Sequence, residues 1–232
     1  MHRTANRVLS FLFFACLAVD LCALHWQIEC LHITAKPLLM PVLIGMLLSA
    51  PALKTYALKK LIVAALLFSW IGDCALLRGE QPLFFIAGLV SFLIAHVFYI
   101  LYFHRHRDKA KKWSLPVWMI LLIGVYSVGL FLYLLPSLGS MKIPVAIYTA
   151  IITLMLIKAI SSKKQATVKA YLLFVGGAIC FVLSDSALAI NKFAQPFATS
   201  SFVIMITYGL AQWLLVQGSI QQGVQDAAKN NY

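Results

Sequence analysis

Eight runs of mostly apolar residues divide this 232-residue chain, and they limit what it can fold into. They cover roughly 7–26, 37–52, 58–77, 83–103, 114–135, 143–160, 168–190 and 200–219. A helix needs about 20 such residues to cross the hydrocarbon core of a bilayer. Lipid offers no partner to an open backbone N–H or C=O, so each run must close its own hydrogen bonds as a helix. The expected fold is all-α: a polytopic bundle of eight transmembrane helices, one integral-membrane domain over 1–232. Composition agrees, with 62% of residues hydrophobic and 11% charged. A soluble domain has about 45–50% and about 25%. Little length is left for anything outside the bilayer. The second and sixth runs are short and begin near Pro37 and Pro144, where a proline's missing N–H costs nothing at a helix start.

The basic residues set the orientation. Fifteen of nineteen fall at one set of helix ends: Arg3, Arg7, Lys54, Lys59, Lys60, Arg105, Arg107, Lys109, Lys111, Lys112, Lys158, Lys163, Lys164, Lys169 and Lys229. The opposite ends carry Lys36, Arg78, Lys142 and Lys192. Positive residues stay on the cytoplasmic side. Both termini are therefore expected to be cytoplasmic, and the location expected is a bacterial inner (plasma) membrane. The net charge of +12 is spread over short loops, which argues against a nucleic-acid partner. His104-Arg105-His106-Arg107 reads as a topology determinant or lipid-headgroup contact. Arg3 and Arg7 ahead of an apolar run resemble a signal peptide, but no small-x-small cleavage site follows, so the run is expected to stay as a span. Five cysteines show neither CxxC nor metal spacing and read as packing residues.

Only seven acids exist in the chain, and two of them end apolar runs in nearly the same words. One is Asp73, in Ser69-Trp70-Ile71-Gly72-Asp73-Cys74-Ala75-Leu76. The other is Asp185, in Phe181-Val182-Leu183-Ser184-Asp185-Ser186-Ala187-Leu188. An acid in a span costs about 2.5–3.5 kcal/mol on insertion scales. Each either pairs with a nearby Lys or Arg, caps a helix end, or does chemistry. In the last case, two carboxyls in a low-dielectric site divide into one acid and one base, which suits general acid–base work near neutral pH. Spans 3 and 7 both run outward, putting each aspartate about 5–8 Å below its non-cytoplasmic helix end. Asp20, with His25 as its polar neighbour, is at similar depth, and Lys36, Arg78 and Lys192 share that face. The active site is expected toward the non-cytoplasmic face.

The Asp-x-Ala-Leu words recur 112 residues apart, and Lys36-Pro37 is followed 106 residues later by Lys142-Ile143-Pro144. Four spans separate the copies, which raises a parallel 4+4 internal repeat about an axis along the membrane normal.

Other polar residues in spans have a bland reading beside the functional one. His96 is either a core histidine bonded to a neighbouring helix or the lining of a pocket. At about 20 Å below the outer end of its span it lies deeper than the aspartates. Tyr208 and Gln212 share a helix face by their i, i+4 spacing; interhelical bonding explains them as well as substrate contact does. Ser69, Ser184, Ser186 and Asn191 could orient the aspartates, Ser69 being one turn from Asp73. The apolar Trp70-Ile71 flank favours Asp73 as the acid, since serines flank Asp185. No G-x-S-x-G, H-E-x-x-H or G-x-x-x-x-G-K-[ST] occurs, and neither metal nor cofactor is expected.

Lys36-Pro37, Gly72-Asp73, Ala95-His96-x-x-Tyr99, Ser184-Asp185-Ser186, Ala189-Ile190-Asn191-Lys192-Phe193 and Thr207-Tyr208-x-x-Ala211-Gln212, in this order, resemble the YhhN-like lysoplasmalogenase family over nearly the whole chain. Gly209 departs from it, where the family often has a second aromatic. The resemblance implies cleavage of the vinyl ether of lysoplasmalogens, membrane lysophospholipids, to a fatty aldehyde and glycerophosphoethanolamine or glycerophosphocholine. It implies that Asp73 and Asp185 are catalytic, and the bottom-up chemistry fits: protonating a vinyl ether carbon makes an oxocarbenium ion, as glycosidase carboxyl pairs do. Lys36, Arg78 or Lys192 could hold the phosphate. Rival readings are a lysolipid transporter or scramblase with proton-coupling aspartates, and an intramembrane aspartyl protease, whose Gly-x-Gly-Asp word this chain lacks.

Overall fold

The structure, a computed structural model, describes residues 2–50, 53, 58–105, 115–164 and 166–230. Lys54, His106, Arg107, Lys109, Lys111 and Lys112 therefore lie outside the described residues. The helices are α1 (His2–His25), α2 (Glu29–Ala35), α3 (Leu39–Leu48), α4 (Lys59–Leu76), α5 (Pro82–Arg105), α6 (Val117–Leu134), α7 (Lys142–Ser161), α8 (Val168–Ala189) and α9 (Ser200–Asn230). Among the described residues there is no strand.

Among the described residues seven helices are long and apolar enough to cross a membrane, against the eight expected. The run left out is α4, which is 18 residues long and carries Lys59, Lys60 and Asp73. The second rod begins at Glu29 rather than near Pro37. A 3₁₀ turn, Lys36–Leu38, joins α2 to α3, so Pro37 sits inside the rod. Pro41, four residues on, has no N–H to give the Pro37 carbonyl. That carbonyl instead accepts the Trp70 indole N–H from α4 at 2.9 Å. Pro144, by contrast, falls in the first turn of α7, where a proline is tolerated. The last rod runs well past the expected end at 219, to Asn230. Its polar extension is held by Gln222, which accepts from the Thr167 backbone N–H at 3.2 Å and donates to Asp226 at 3.0 Å.

The closest-packed pairs are α4 with α5 and α8 with α9, the two that carry the aspartates. Glycine allows both. A Cβ on Gly72 would lie 2.7 Å from the Phe92 ring, and one on Gly177 would lie 2.8 Å from Leu215 and 3.0 Å from the Ala211 carbonyl oxygen. Small residues let helix backbones approach in this way. Around these pairs, α1 packs on α2, α3 and α9, and α7 on α5 and α8. The outlier is α6. Of its 18 residues only Leu134 is buried, while Trp118, Leu121, Leu122, Val125 and Val128 face outward. Cys22, Cys30 and Cys74 also face outward rather than into packing.

Candidate active site

Asp73 is buried where α4 meets α9. Ser69 and Asp73 are one turn apart on α4, and Tyr208 and Gln212 one turn apart on α9. The two faces meet in a closed polar network. The Tyr208 hydroxyl donates to Asp73 Oδ2 at 2.7 Å. Gln212 Nε2 donates to Ser69 Oγ at 2.8 Å, and Gln212 Oε1 accepts from the Tyr99 hydroxyl of α5 at 2.6 Å. Buried polar atoms that find partners in this way hold helices in one register. Lys36, itself buried, interacts electrostatically with Asp73 across the gap from the 3₁₀ turn.

Asp185 has different surroundings. Its side chain is 14% exposed, and Oδ2 accepts from the Tyr148 hydroxyl of α7 at 2.6 Å. Nε2 of His96 lies 3.7 Å from the same oxygen. His96 is fully buried, and neither ring nitrogen has a hydrogen-bond partner among the described residues. Its ring packs edge-on against Tyr148 and, with centroids 4.6 Å apart, against Phe181. Phe181 in turn packs on Tyr208, so a row of rings joins the two carboxyl neighbourhoods.

His96 thus reaches Asp185, which the expected depths did not allow. The helix carrying Asp185 does not end at 190. It continues as a π-helical turn, Ile190–Ala194, nine residues beyond the aspartate. At 1.5 Å per residue that places Asp185 about 13 Å from the helix end, not 5–8 Å.

Two cavities share a wall beside this site, and Asp185 lines the first of them. One, of about 60 Å³, is apolar and fenced by α5, α6, α7 and α8; Asp185, Tyr148 and Ser186 are among its polar lining. The other, about 280 Å³, is polar and lies where the α4–α5 turn and the π-helical turn converge, lined by His32, Lys36, Glu80, Asn191 and Lys192. Phe85 and Leu188 form a wall common to both. Asp73 lines neither cavity.

Several expected supports have other work. Ser184 donates to the Ile204 carbonyl, tying α8 to α9, and not to Asp185. Ser186 donates to the Val182 carbonyl and accepts from Tyr126 of α6 at 2.8 Å. Asn191 accepts the Phe197 backbone N–H and so shapes the turn into α9. Among the described residues Ser69 connects to Asp73 through Gln212 and Tyr208 in turn. Arg78 rests over the Phe84 ring and lines neither cavity. Trp70 and Ile71 point outward, so they do not surround Asp73. Gly209 meets Leu17 of α1, which occupies the space an aromatic would need.

Sequence reasoning missed Tyr148 and His32. A signal for Tyr148 was present. The interval between Asp73 and Asp185 is 112, the interval between His96 and Tyr208 is also 112, and the same step carries Lys36 to Tyr148. Matching Lys36 to Lys142 at 106 concealed it.

A buried pair of acid sites inside a bundle of apolar helices, with an apolar and a polar cavity side by side, defines an integral-membrane protein built around intramembrane carboxyls. The chain belongs to the YhhN family, which it matches over residues 31–219. It is 32% identical over 165 residues to the human lysoplasmalogenase TMEM86B, covering 71% of this chain and 66% of that protein. It is 30% identical to human lysoplasmalogenase TMEM86A, over 69% of this chain and 65% of the relative. A lysoplasmalogenase of Mycobacterium tuberculosis is 28% identical over 69% of this chain and 60% of its own length. The match thus spans just under two thirds of these relatives. No solved structure matches the chain.

Proposed function

We propose that the protein is a lysoplasmalogenase that hydrolyses the vinyl ether bond of a membrane lysophospholipid, and that Asp185 is its proton donor. The observation that carries this reading is the position of Asp185 on the wall of an apolar cavity that adjoins a polar one across Phe85 and Leu188. A lysolipid has the same division, with its labile bond at the junction. The names of the relatives support the activity.

The steps balance with one cycling carboxyl. Protonated Asp185 gives its proton to the vinyl carbon remote from oxygen, and the ether oxygen shares the resulting positive charge. The Asp185 carboxylate then takes a proton from the water that adds to the cationic carbon. The hemiacetal collapses to a fatty aldehyde and a glycerophospho-base. Tyr148 orients Asp185 through its hydrogen bond, and His96 is the nearest group that can exchange a proton with it. Lys36 gives Asp73 a counter-charge, and among the described residues no lysine or arginine is seen to give one to Asp185. Because Asp185 reaches the apolar cavity and Asp73 lines neither, this reading makes Asp73 the standing carboxylate of the pair, the reverse of what the Trp70-Ile71 flank implied.

Eight spans, α4 among them, and a parallel 4+4 repeat go with this reading. The repeat is supported by the common step of 112 and by the crossing it produces: His96 of the first half meets Asp185 of the second, and Tyr208 of the second meets Asp73 of the first. The excess of basic residues at the helix ends remote from Lys36, Arg78, Lys142 and Lys192 supports cytoplasmic termini, a plasma-membrane location and a site facing outward.

The test is aldehyde release from lysoplasmenyl-ethanolamine by protein purified in detergent. Wild type should release aldehyde, and Asp185→Asn should not while remaining folded. Proton-dependent lipid movement without aldehyde would replace this reading with a transporter.

A further inference from the structure

Asp20 and His32 form a side-chain pair that the reaction above does not use. Asp20, on α1, is fully buried; its Oδ1 lies 2.7 Å from His32 Nδ1. Its Oδ2 is buried without a hydrogen-bond partner among the described residues. Holding a carboxyl there is costly unless it serves its neighbour. What it does is fix the ring. The contact engages Nδ1 and leaves Nε2 free on the ring's other side, as in carboxylate–histidine pairs that orient a ligand-binding ring.

His32 does not act alone. The Lys36 backbone N–H bonds to the His32 carbonyl, so the two residues are one helical turn apart on one face. Both line the polar cavity. From the far wall comes Lys192, whose ammonium donates to the Gly79 carbonyl at 3.0 Å and sits 4.9 Å over the Phe85 ring, the wall shared with the apolar cavity. Glu80 is the acid in this lining. Cationic and donor groups on two walls, with one carboxylate at the edge, match a ligand that is anionic at its centre and cationic at its end.

We propose that this polar cavity binds a zwitterionic phosphodiester headgroup: Lys36, Lys192 and the Asp20-backed His32 take the phosphate, and Glu80 takes the amine. The site deepens the lysolipid reading by naming the residues that hold its headgroup, and it rests on that reading only for the chain in the adjoining cavity. Lys192 and Phe85 stand where headgroup and chain meet, so the phosphate held there leaves the first carbons of the chain at Asp185. Asp20 and His32 bind and position; they take no part in proton transfer to the vinyl ether.

The experiment uses the full chain in detergent, with two readouts. Calorimetry measures binding of glycerophosphoethanolamine and of glycerol 3-phosphate, which lacks the amine. Aldehyde release from lysoplasmenyl-ethanolamine gives KM and kcat. His32→Gln should weaken both ligands about tenfold or more, the loss of one strong hydrogen bond to a charged group, and should raise KM more than it lowers kcat. Asp20→Asn should do the same; because Asp20 is buried, the partly exposed His32 is the deciding variant. Glu80→Gln should weaken glycerophosphoethanolamine about tenfold while glycerol 3-phosphate binds as well as before or better. Unchanged binding in His32→Gln and Glu80→Gln, with aldehyde release intact, would overturn this site and leave the reaction standing. Headgroup binding that responds to these variants without any aldehyde release would support the site and overturn the reaction.

Discussion

The Tyr208 hydroxyl donates to Asp73 Oδ2 over 2.7 Å, across the interface of α9 with α4 and 135 residues away in sequence. Both residues are buried. Tyr208→Phe removes the donor and leaves a buried carboxyl oxygen short of a partner. The expected loss of stability is about 1–3 kcal/mol, read as a lower thermal midpoint in detergent. Turnover should fall with it, since Asp73 loses its orientation. A variant as stable and as active as wild type would remove Tyr208 from the site.

Tyr148 and Asp185 should separate by magnitude. Asp185→Asn takes away the proton itself and should cost about 10²–10⁴ in kcat. Tyr148→Phe leaves the carboxyl and removes only the 2.6 Å bond that aims it. Its loss should be about tenfold, with KM little changed. Equal losses in the two variants would mean that Tyr148 touches the substrate.

His96 is buried, and among the described residues neither ring nitrogen makes a short hydrogen bond, Nε2 lying 3.7 Å from Asp185; burying a polar ring so loosely paired is a standing cost to the fold. Replacing it by Phe keeps a ring against Phe181 and Tyr148 and removes the loosely paired polar atoms. His96→Phe should raise the thermal midpoint, by the equivalent of about 1 kcal/mol, while lowering aldehyde release. A variant both less stable and fully active would mark the ring as packing only.

Two glycines on α8 and α9 predict different outcomes. At Gly177 a methyl would press on the Ala211 backbone carbonyl at 3.0 Å as well as on Leu215, and backbone cannot turn aside. Gly177→Ala should cost about 1–3 kcal/mol. At Gly209 the nearest atoms belong to the Leu17 side chain, the closest at 2.8 Å, which can change rotamer. Gly209→Ala should cost clearly less. Paired thermal unfolding curves decide between them.

Asp73 and Asp185 were legible in the sequence because a carboxyl in an apolar run carries a visible cost. Tyr208 and Gln212 were legible because their i, i+4 spacing puts two polar groups on one helical face. Tyr148 was not, because a tyrosine in an apolar helix is ordinary until the helix opposite is known to present a carboxyl. His32 was missed because its run was expected to start at Pro37, so it fell in an assumed loop. The proline signal is ambiguous in itself: it marks the start of α7 near Pro144 but the middle of the second rod at Pro37, where Trp70 supplies what the backbone lacks. Depth failed for Asp185 because the end of an apolar run is not the end of a helix; Asn191 and Lys192 are polar and still helical.

α6 is held against its neighbours by Tyr126 on Ser186 and by the 2.7 Å contact of Ser127 with Thr153, and it buries little else. It is also the outer fence of the apolar cavity. On the proposed chemistry, cleavage yields one product that prefers oil and one that prefers water, released on opposite sides of Phe85. On that chemistry the aldehyde would leave sideways, past the Tyr126–Ser186 and Ser127–Thr153 contacts and into the leaflet. The headgroup has its own way out through the polar mouth. Such an enzyme discharges into two phases at once, and its reactive product need never meet bulk water.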